Sequence, residues 1–428
     1  MKYDRINNEL FIRNRALFTK KMKPKSLAVF CSNDIMPTSA DGTMPFRQDS
    51  DMLWMSGVDQ EESKLLVFPD ASSAKHKEVL FLKETSDLIA IWEGSKLTKK
   101  EAFEVSGIKT VYWIGQFETI FEQLMQEAKT VYLNSNEHAR ATINVETRTA
   151  RFNKWCKEKY NSHQYEKAAP YMHELRAVKH PLEIDLLQHA CNITEKGFRR
   201  VIDFVKPGVM EYEIEAEYMH EFLRNRSKGF AYEPIIASGH NACVLHYIDN
   251  NQECKAGDVI LMDVGAEYAN YASDMTRCIP VGGRFTERQK DVYNAVLRVM
   301  KAASDMLRPG IMLTEYHKEV GLIMQSELLE LGLVSQHDID KQDPQNPVYK
   351  KYFMHGTSHF LGLDVHDVGL WEQPMEKGMV FTCEPGIYIR EENLGIRLEN
   401  DILVTNGAPF DLMQNIPLEA EEIENLMN

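Results

Sequence analysis

Gly257-Asp-Val-Ile-Leu-Met-Asp263-Val-Gly265 and Gly378-Met-Val-Phe-Thr-Cys-Glu384-Pro-Gly386 share one wording: a glycine, a carboxylate six residues on, and a glycine two beyond that. Each is followed by a return run carrying a second acid, Ser273-Asp274-Met-Thr276-Arg277 after the first and Gly395-Ile-Arg397-Leu-Glu399 after the second. The pattern predicts a matched pair of β-hairpins. Ten residues separate Asp263 from Asp274 and fourteen separate Glu384 from Glu399. Both numbers are even, so a regular hairpin can set each acid opposite its partner on one face, with Cβ atoms about 4.5–5.5 Å apart.

Like charges that close destabilise a sheet, and four carboxylates gathered in a dry site cannot all stay ionised. Protons or cations must compensate. Two divalent metals balance four carboxylates, and a hydroxide bridging metals about 3.5–4 Å apart becomes an attacking group. An oxygen-rich ligand set with one imidazole suits Mn²⁺ better than a thiolate zinc site, with Co²⁺ or Zn²⁺ as alternatives. A single acid of this kind is more simply a solvated strand-edge residue; two pairs at matching places in a repeat are not.

That repeat surrounds the hairpins. Pro181 starts a helix ended by Lys206-Pro-Gly208, and a second helix follows over about 211–228. The capping box Thr286-Glu-Arg-Gln289 starts a helix ended by Arg308-Pro-Gly310, and another covers about 314–331. A loop with a histidine follows each helix pair, Ser238-Gly-His240 or Gly356-Thr-Ser-His359, and then a hairpin. The Pro-Gly marks are 102 residues apart and the leading acids 121, so the second half carries 19 extra residues, assigned to the polar stretch 335–350. Three matches in one order predict two similar α/β halves about a pseudo-two-fold axis. His355, His359 and His366 crowd one stretch; the last two have opposite strand parity, so the chain must bend, at Gly362, for both to reach one site. His246 follows the equivalent loop of the first half.

Ahead of this lies a stretch of alternating elements. A helix is predicted over 5–22, strands over 26–31, 52–56, 64–68, around 79–82, 110–114 and 130–133, and helices over 98–105 and 117–128. This reads as an α/β domain ending near residue 170, with the polar stretch 159–170 as boundary. The 428 residues allow two full cores. A net charge of −15 argues against nucleic acid and anionic membrane as partners. No apolar run approaches a membrane span, and the charged N-terminus does not read as a signal peptide. Seven cysteines without CxxC spacing fit a reduced, cytoplasmic chain; Cys383, beside Glu384, reads as a small buried strand residue.

These motifs together resemble the Xaa-Pro aminopeptidases (aminopeptidase P) among the pita-bread metallopeptidases, a likeness carried by Leu261-Met-Asp263-Val-Gly265, Ser273-Asp-Met-Thr-Arg277, His355-Gly-Thr-Ser-His359, Glu384-Pro-Gly386 and Arg397-Leu-Glu399. Pro45-Phe-Arg-Gln-Asp-Ser-Asp51 and Trp92 extend it to the N-terminal part. The resemblance implies an N-terminal α/β domain over 1–172 and a duplicated pita-bread catalytic domain, α/β (α+β) in class, over 173–428. It implies Asp263, Asp274, His359, Glu384 and Glu399 as ligands of two metals, with Asp274 and Glu399 shared. It implies Glu384 as proton acceptor, and His246 and His366 as residues orienting substrate and stabilising the tetrahedral intermediate. His355 and Trp92 are implied as substrate contacts. Arg397, of like parity to Glu399, should point into the same site and steady a carboxylate.

The implied reaction is hydrolysis of the bond between an N-terminal residue and a following proline, whose missing N–H and fixed φ defeat general peptidases. The implied partners are peptides with proline in second position and further copies of the chain, as dimer or tetramer. A prolidase acting on Xaa-Pro dipeptides would use the same ligands. A non-catalytic pita-bread binding protein and metal-free creatinase-like catalysis both fit poorly with an intact ligand set. A methionine aminopeptidase fits poorly with so large an N-terminal part.

Overall fold

The computed structural model describes residues 2–428, which divide into two compact units, Tyr3–Arg176 and Ala177–Asn428, with Lys2 alongside the second.

The first unit is a mixed sheet with helices on both faces. Its elements are α1 (Glu9–Lys21), β1 (Ser26–Cys31), α2 (Ser50–Ser56), β2 (Lys64–Val67), β3 (Glu78–Leu82), α3 (Asp87–Glu93), α4 (Lys99–Ser106), β4 (Thr110–Trp113), α5 (Phe117–Glu127), β5 (Thr130–Leu133), α6 (Arg148–Lys159) and β6 (Gln164–Lys167). The strand order is β4-β3-β2-β1-β5-β6. β2 lies antiparallel to β1 and β3, and the outer pairings are parallel. Every residue of central β1 is buried. Leu27 and Val29 face a cluster with Phe117, Phe121 and Phe152 from α5 and α6, while Phe30 meets Phe18 of α1 edge-on at 5.4 Å. A strand covered on both faces must be apolar without alternation, as Ser26–Cys31 is.

Two segments differ from expectation. Met52–Ser56, predicted as strand, lies in helix α2: Asp49 caps it by accepting Met52 N–H at 2.9 Å, and Gly57 ends it at φ +70°. A short apolar run has no readable period, and the capping residues on either side decide it. The polar stretch 159–170 contains edge strand β6, paired with β5. Its partly exposed side chains suit a sheet edge.

α7 (Ala169–Ala177) carries the chain into the second unit, which comprises α8 (Pro181–Phe204), α9 (Glu211–Arg224), β7 (Ile235–Ser238), β8 (Val259–Val264), β9 (Glu267–Tyr268), β10 (Tyr271–Ala272), β11 (Met275–Pro280), α10 (Glu287–Met306), α11 (Leu313–Glu330), α12 (Gln336–Asp340), β12 (Val380–Cys383), β13 (Gly386–Ile389), β14 (Leu394–Arg397), β15 (Asn400–Leu403), β16 (Phe410–Asp411) and α13 (Ala420–Leu426). Helix pairs α8/α9 and α10/α11 each turn at their Pro-Gly, with Gly208 and Gly310 at positive φ. The Thr286 capping box forms, as does one at His180 ahead of Pro181. One hairpin is β8 to β11, with β9 and β10 at its tip and β7 beside β8. The other is β12-β13 returning as β14-β15. The extra segment of the second half holds α12, none of whose residues is buried.

Candidate metal centre

Each hairpin keeps one register from base to tip, and the two registers differ. In the first, Val264 pairs with Met275 and Tyr268 with Tyr271, so Ala269 and Asn270 form the turn, at φ 54° and 67°. Two residues at positive φ give a turn whose twist matches the strands. This register puts Asp263 opposite Thr276, not opposite Asp274. Direct opposition of the two acids fails because the turn is centred one residue too late for it. Asp274 lies two residues along, diagonal to Asp263 on the same face. In the second hairpin Cys383 pairs with Asn400 and Gly386 with Arg397, which leaves Glu384 directly facing Glu399.

A bridge between Thr276 and Glu399 joins the hairpins, Glu399 N–H donating to Thr276 O at 3.1 Å. Asp263, Thr276, Glu399 and Glu384 therefore form one row across both halves. His359 lies alongside: Thr382 N–H donates to its carbonyl at 3.0 Å, and its own N–H donates to Thr382 Oγ1 at 3.2 Å.

Ligand atoms of Asp274, His359 and Glu399, all buried, lie within 4.8 Å of one another. His359 Nε2 is 3.5 Å from both Asp274 Oδ2 and Glu384 Oε1. Its Nδ1 is 3.0 Å from the Phe360 carbonyl, which can only accept, so Nδ1 carries a hydrogen and Nε2 faces the acids. Burial, reinforced by Asp263, pushes the Asp274 carboxyl well above its ordinary range. Burial, then Asp274, Glu384 and Asp263, do the same to Glu399. Glu384 is pushed up to about 7 by burial, with His359 opposing and Asp274 adding to the rise. These residues fit divalent cations: crowded, buried carboxyls that resist ionising together, beside an imidazole nitrogen, are the chemistry of a hard-cation site.

The surrounding groups form a connected network. Arg397 donates from Nη2 to Asp263 Oδ2 (2.6 Å), from Nε to Thr276 Oγ1 (3.1 Å) and from Nη1 to the Tyr388 hydroxyl (2.9 Å). Thr276 passes the interaction on, donating to Glu399 Oε2 at 2.6 Å. His355 Nδ1 donates to Gly356 O, so its Nε2 accepts from the Tyr388 hydroxyl at 2.8 Å. Burial, then the Arg397 charge, lowers the His355 pKa to about 3 and keeps the ring neutral. The His366 ring stands edge-on to His359, centroids 4.5 Å apart. The chain bends where Gly362 was expected to bend it; a Cβ there would lie 2.1 Å from Asp367 Oδ2. His246 is exposed. Trp92 is on α3 of the first unit, 83% exposed.

Tyr232 was not predicted. Its hydroxyl lies 2.7 Å from Asp263 Oδ1 and 2.6 Å from Asp274 Oδ1. One phenol thus links the two acids of the first hairpin. Burial, then Asp263, Asp274 and Glu399, push this phenol well above its ordinary range. Tyr232 precedes β7 in an irregular segment, and nothing in the wording Ala231-Tyr-Glu-Pro234 marks it. Tyr388, two residues past Gly386 in the second hairpin, shares the parity of Glu384, a sequence signal that places it on the same face.

The model of metallopeptidase family M24 matches residues 185–406, more than half of the chain. The chain belongs to metallopeptidase family M24. The aminopeptidase P N-terminal domain model matches residues 11–132. The Xaa-Pro aminopeptidase of Escherichia coli K12 is 34% identical over 435 residues, covering 99% of this chain and 98% of that protein. Zinc-substituted Escherichia coli aminopeptidase P in complex with product superposes with a TM-score of 0.87 at 34% identity, over 99% of each chain. Pseudomonas aeruginosa aminopeptidase PepP superposes with a TM-score of 0.89 at 30% identity, over 99% of this chain and 98% of that one. The second unit is thus an M24 pita-bread peptidase domain, and the chain is a metallopeptidase. No helix among the described residues is long and apolar enough to cross a membrane.

Proposed function

We propose that this M24 peptidase is an Xaa-Pro aminopeptidase, releasing an N-terminal residue that precedes proline. The convergence of Asp274, His359 and Glu399 within 4.8 Å, beneath carboxyls raised by burial, carries the metallopeptidase reading. The substrate follows from full-length likeness to the Escherichia coli enzyme. Asp263, Asp274, His359, Glu384 and Glu399 would hold two divalent ions, Mn²⁺ before Co²⁺ or Zn²⁺ on ligand chemistry. When bound, such ions balance the carboxylates and acidify water.

The protein's own residues do the rest. Glu384 takes a proton from the attacking water as its oxygen bonds the carbonyl carbon, then gives it to the prolyl nitrogen as the C–N bond breaks. A carboxylate set beside the attacking water can serve both transfers in turn. Arg397 holds Asp263 in place. His246 and His366 orient the peptide and donate to the oxygen that becomes negative, and His355, neutral, contacts substrate. We assign the peptidase function to residues 173–428 and a supporting role to 1–172, with Trp92 as a substrate contact supplied within a cytoplasmic homo-oligomer, dimer or tetramer.

The test is to strip the protein with chelator, restore Mn²⁺, Co²⁺ or Zn²⁺, and offer Xaa-Pro-Xaa tripeptides beside Xaa-Pro dipeptides. Tripeptide cleavage at the first bond supports the proposal. Cleavage of dipeptides alone makes the protein a prolidase, and no cleavage with no bound metal removes both readings.

A further inference from the structure

Outside the metal centre, one buried carboxylate gathers an unusual number of donors. Glu211 is the first residue of α9 and is fully buried. Its Oε1 accepts from Ser238 N–H (2.8 Å) and Asn241 Nδ2 (3.2 Å); its Oε2 accepts from the Tyr247 hydroxyl (2.7 Å) and Gln252 N–H (2.9 Å). Ser238 and Gln252 bracket the segment that connects β7 towards β8, and Asn241 and Tyr247 belong to its middle. One side chain thus ties both ends and the centre of a single loop.

The duplicated half shows that the helix itself does not need this group. Met210 and Met312 hold the same place after Pro-Gly, so the counterpart of Glu211 is Leu313, buried at the start of α11. A carboxylate buried where leucine suffices is costly unless its bonds repay it, and here all its bonds go to the loop. The loop in turn lies on the second hairpin. Its turn at 239–243 packs so tightly on β14 that a Cβ on Gly395 would sit 2.2 Å from Ala242 O, and His240 Nδ1 is 3.0 Å from Asn393 Oδ1. His246 is carried by this loop, next to Tyr247. The second half holds its histidine loop by a different pair on α11: Tyr316 bonds Ser358 Oγ at 2.8 Å, and His317 Nδ1 accepts Thr357 N–H at 3.1 Å.

We propose that Glu211 is a positioning residue that fixes the 238–252 loop against the second hairpin and thereby sets His246. The role of His246 rests on the aminopeptidase reading; the anchoring of the loop does not. Glu211→Gln keeps the shape but turns an NH₂ group onto donors, and Tyr247→Phe removes one of the bonds more mildly. Hydrogen exchange of the metal-restored full chain should quicken about tenfold or more across 238–252 in Glu211→Gln, less in Tyr247→Phe, and stay unchanged across 380–403. On a tripeptide, kcat should fall about 10–100-fold with KM moving less. In a His246→Ala background the same substitution should cost nothing further, because the group it positions is gone. Unchanged exchange at 238–252 in both variants overturns the proposal, as does an equal loss of kcat with and without His246. If Glu211→Gln does not fold, Tyr247→Phe answers the same two questions. A parent that cleaves no proline peptide defeats the functional reading, while the exchange measurement still decides the anchoring.

Discussion

Arg397 Nη2 lies 2.6 Å from Asp263 Oδ2, so the second hairpin supplies the cation that steadies the leading acid of the first. The same guanidinium reaches Thr276 and Tyr388. Lysine offers one point of charge and cannot span all three. Arg397→Lys should therefore fold normally by circular dichroism yet lose about 10–100-fold in kcat/KM or metal affinity. Parent-like values for both would mean the network does not support the site.

Tyr232→Phe should weaken metal binding by about tenfold, as loss of a group that orients ligands typically does. The hydroxyl between Asp263 and Asp274 has no replacement on the ring. Competition with a fluorescent chelator gives the affinity directly; an unchanged constant would show that the two acids need no shared donor.

The acids also fix a pH dependence. The folded pKa values of Asp274, Glu384 and Glu399 are raised, that of Glu384 to about 7, by burial first. The metal-free folded state therefore binds more protons than the unfolded chain between the two pKa values, and its stability falls as pH rises through that window. Cations replace those protons, so their affinity falls as pH drops below about 7. The gap in Tm between Mn²⁺-loaded and stripped protein should widen from about pH 5.5 to pH 8. A gap that narrows over this range would contradict the charge account.

Gly265→Ala should be severe and Gly282→Ala silent. A Cβ at Gly265 would lie 1.8 Å from Ser273 O, across the neck of the first hairpin, whereas one at Gly282 meets nothing within 4 Å. Overpacking against backbone costs about 3 kcal/mol or more. Urea titrations of both variants would show whether the difference is real.

How far the sequence could be read depended on whether the signal was local. Pro181, the Thr286 capping box and the two Pro-Gly stops fixed helix ends, because each acts on the backbone beside it. Parity showed that Asp263 and Asp274 share a face, yet not that Thr276 stands between the hairpins, since register depends on where the turn closes. Met52–Ser56 reads as strand but is helix, because four apolar residues in a row carry no period. Tyr232 was invisible because its contacts cross from an irregular segment to two strands, and only the folded chain makes that approach.

Two acid pairs and His359 would together hold two divalent ions. The most direct test is calorimetric titration of the stripped protein with Mn²⁺, in the parent and in His359→Ala, with tripeptide turnover followed alongside. Two equivalents per chain in the parent, with weaker uptake and lost turnover in the variant, are predicted. Fewer than two equivalents in the active parent, or uptake and turnover untouched by losing His359, would contradict it.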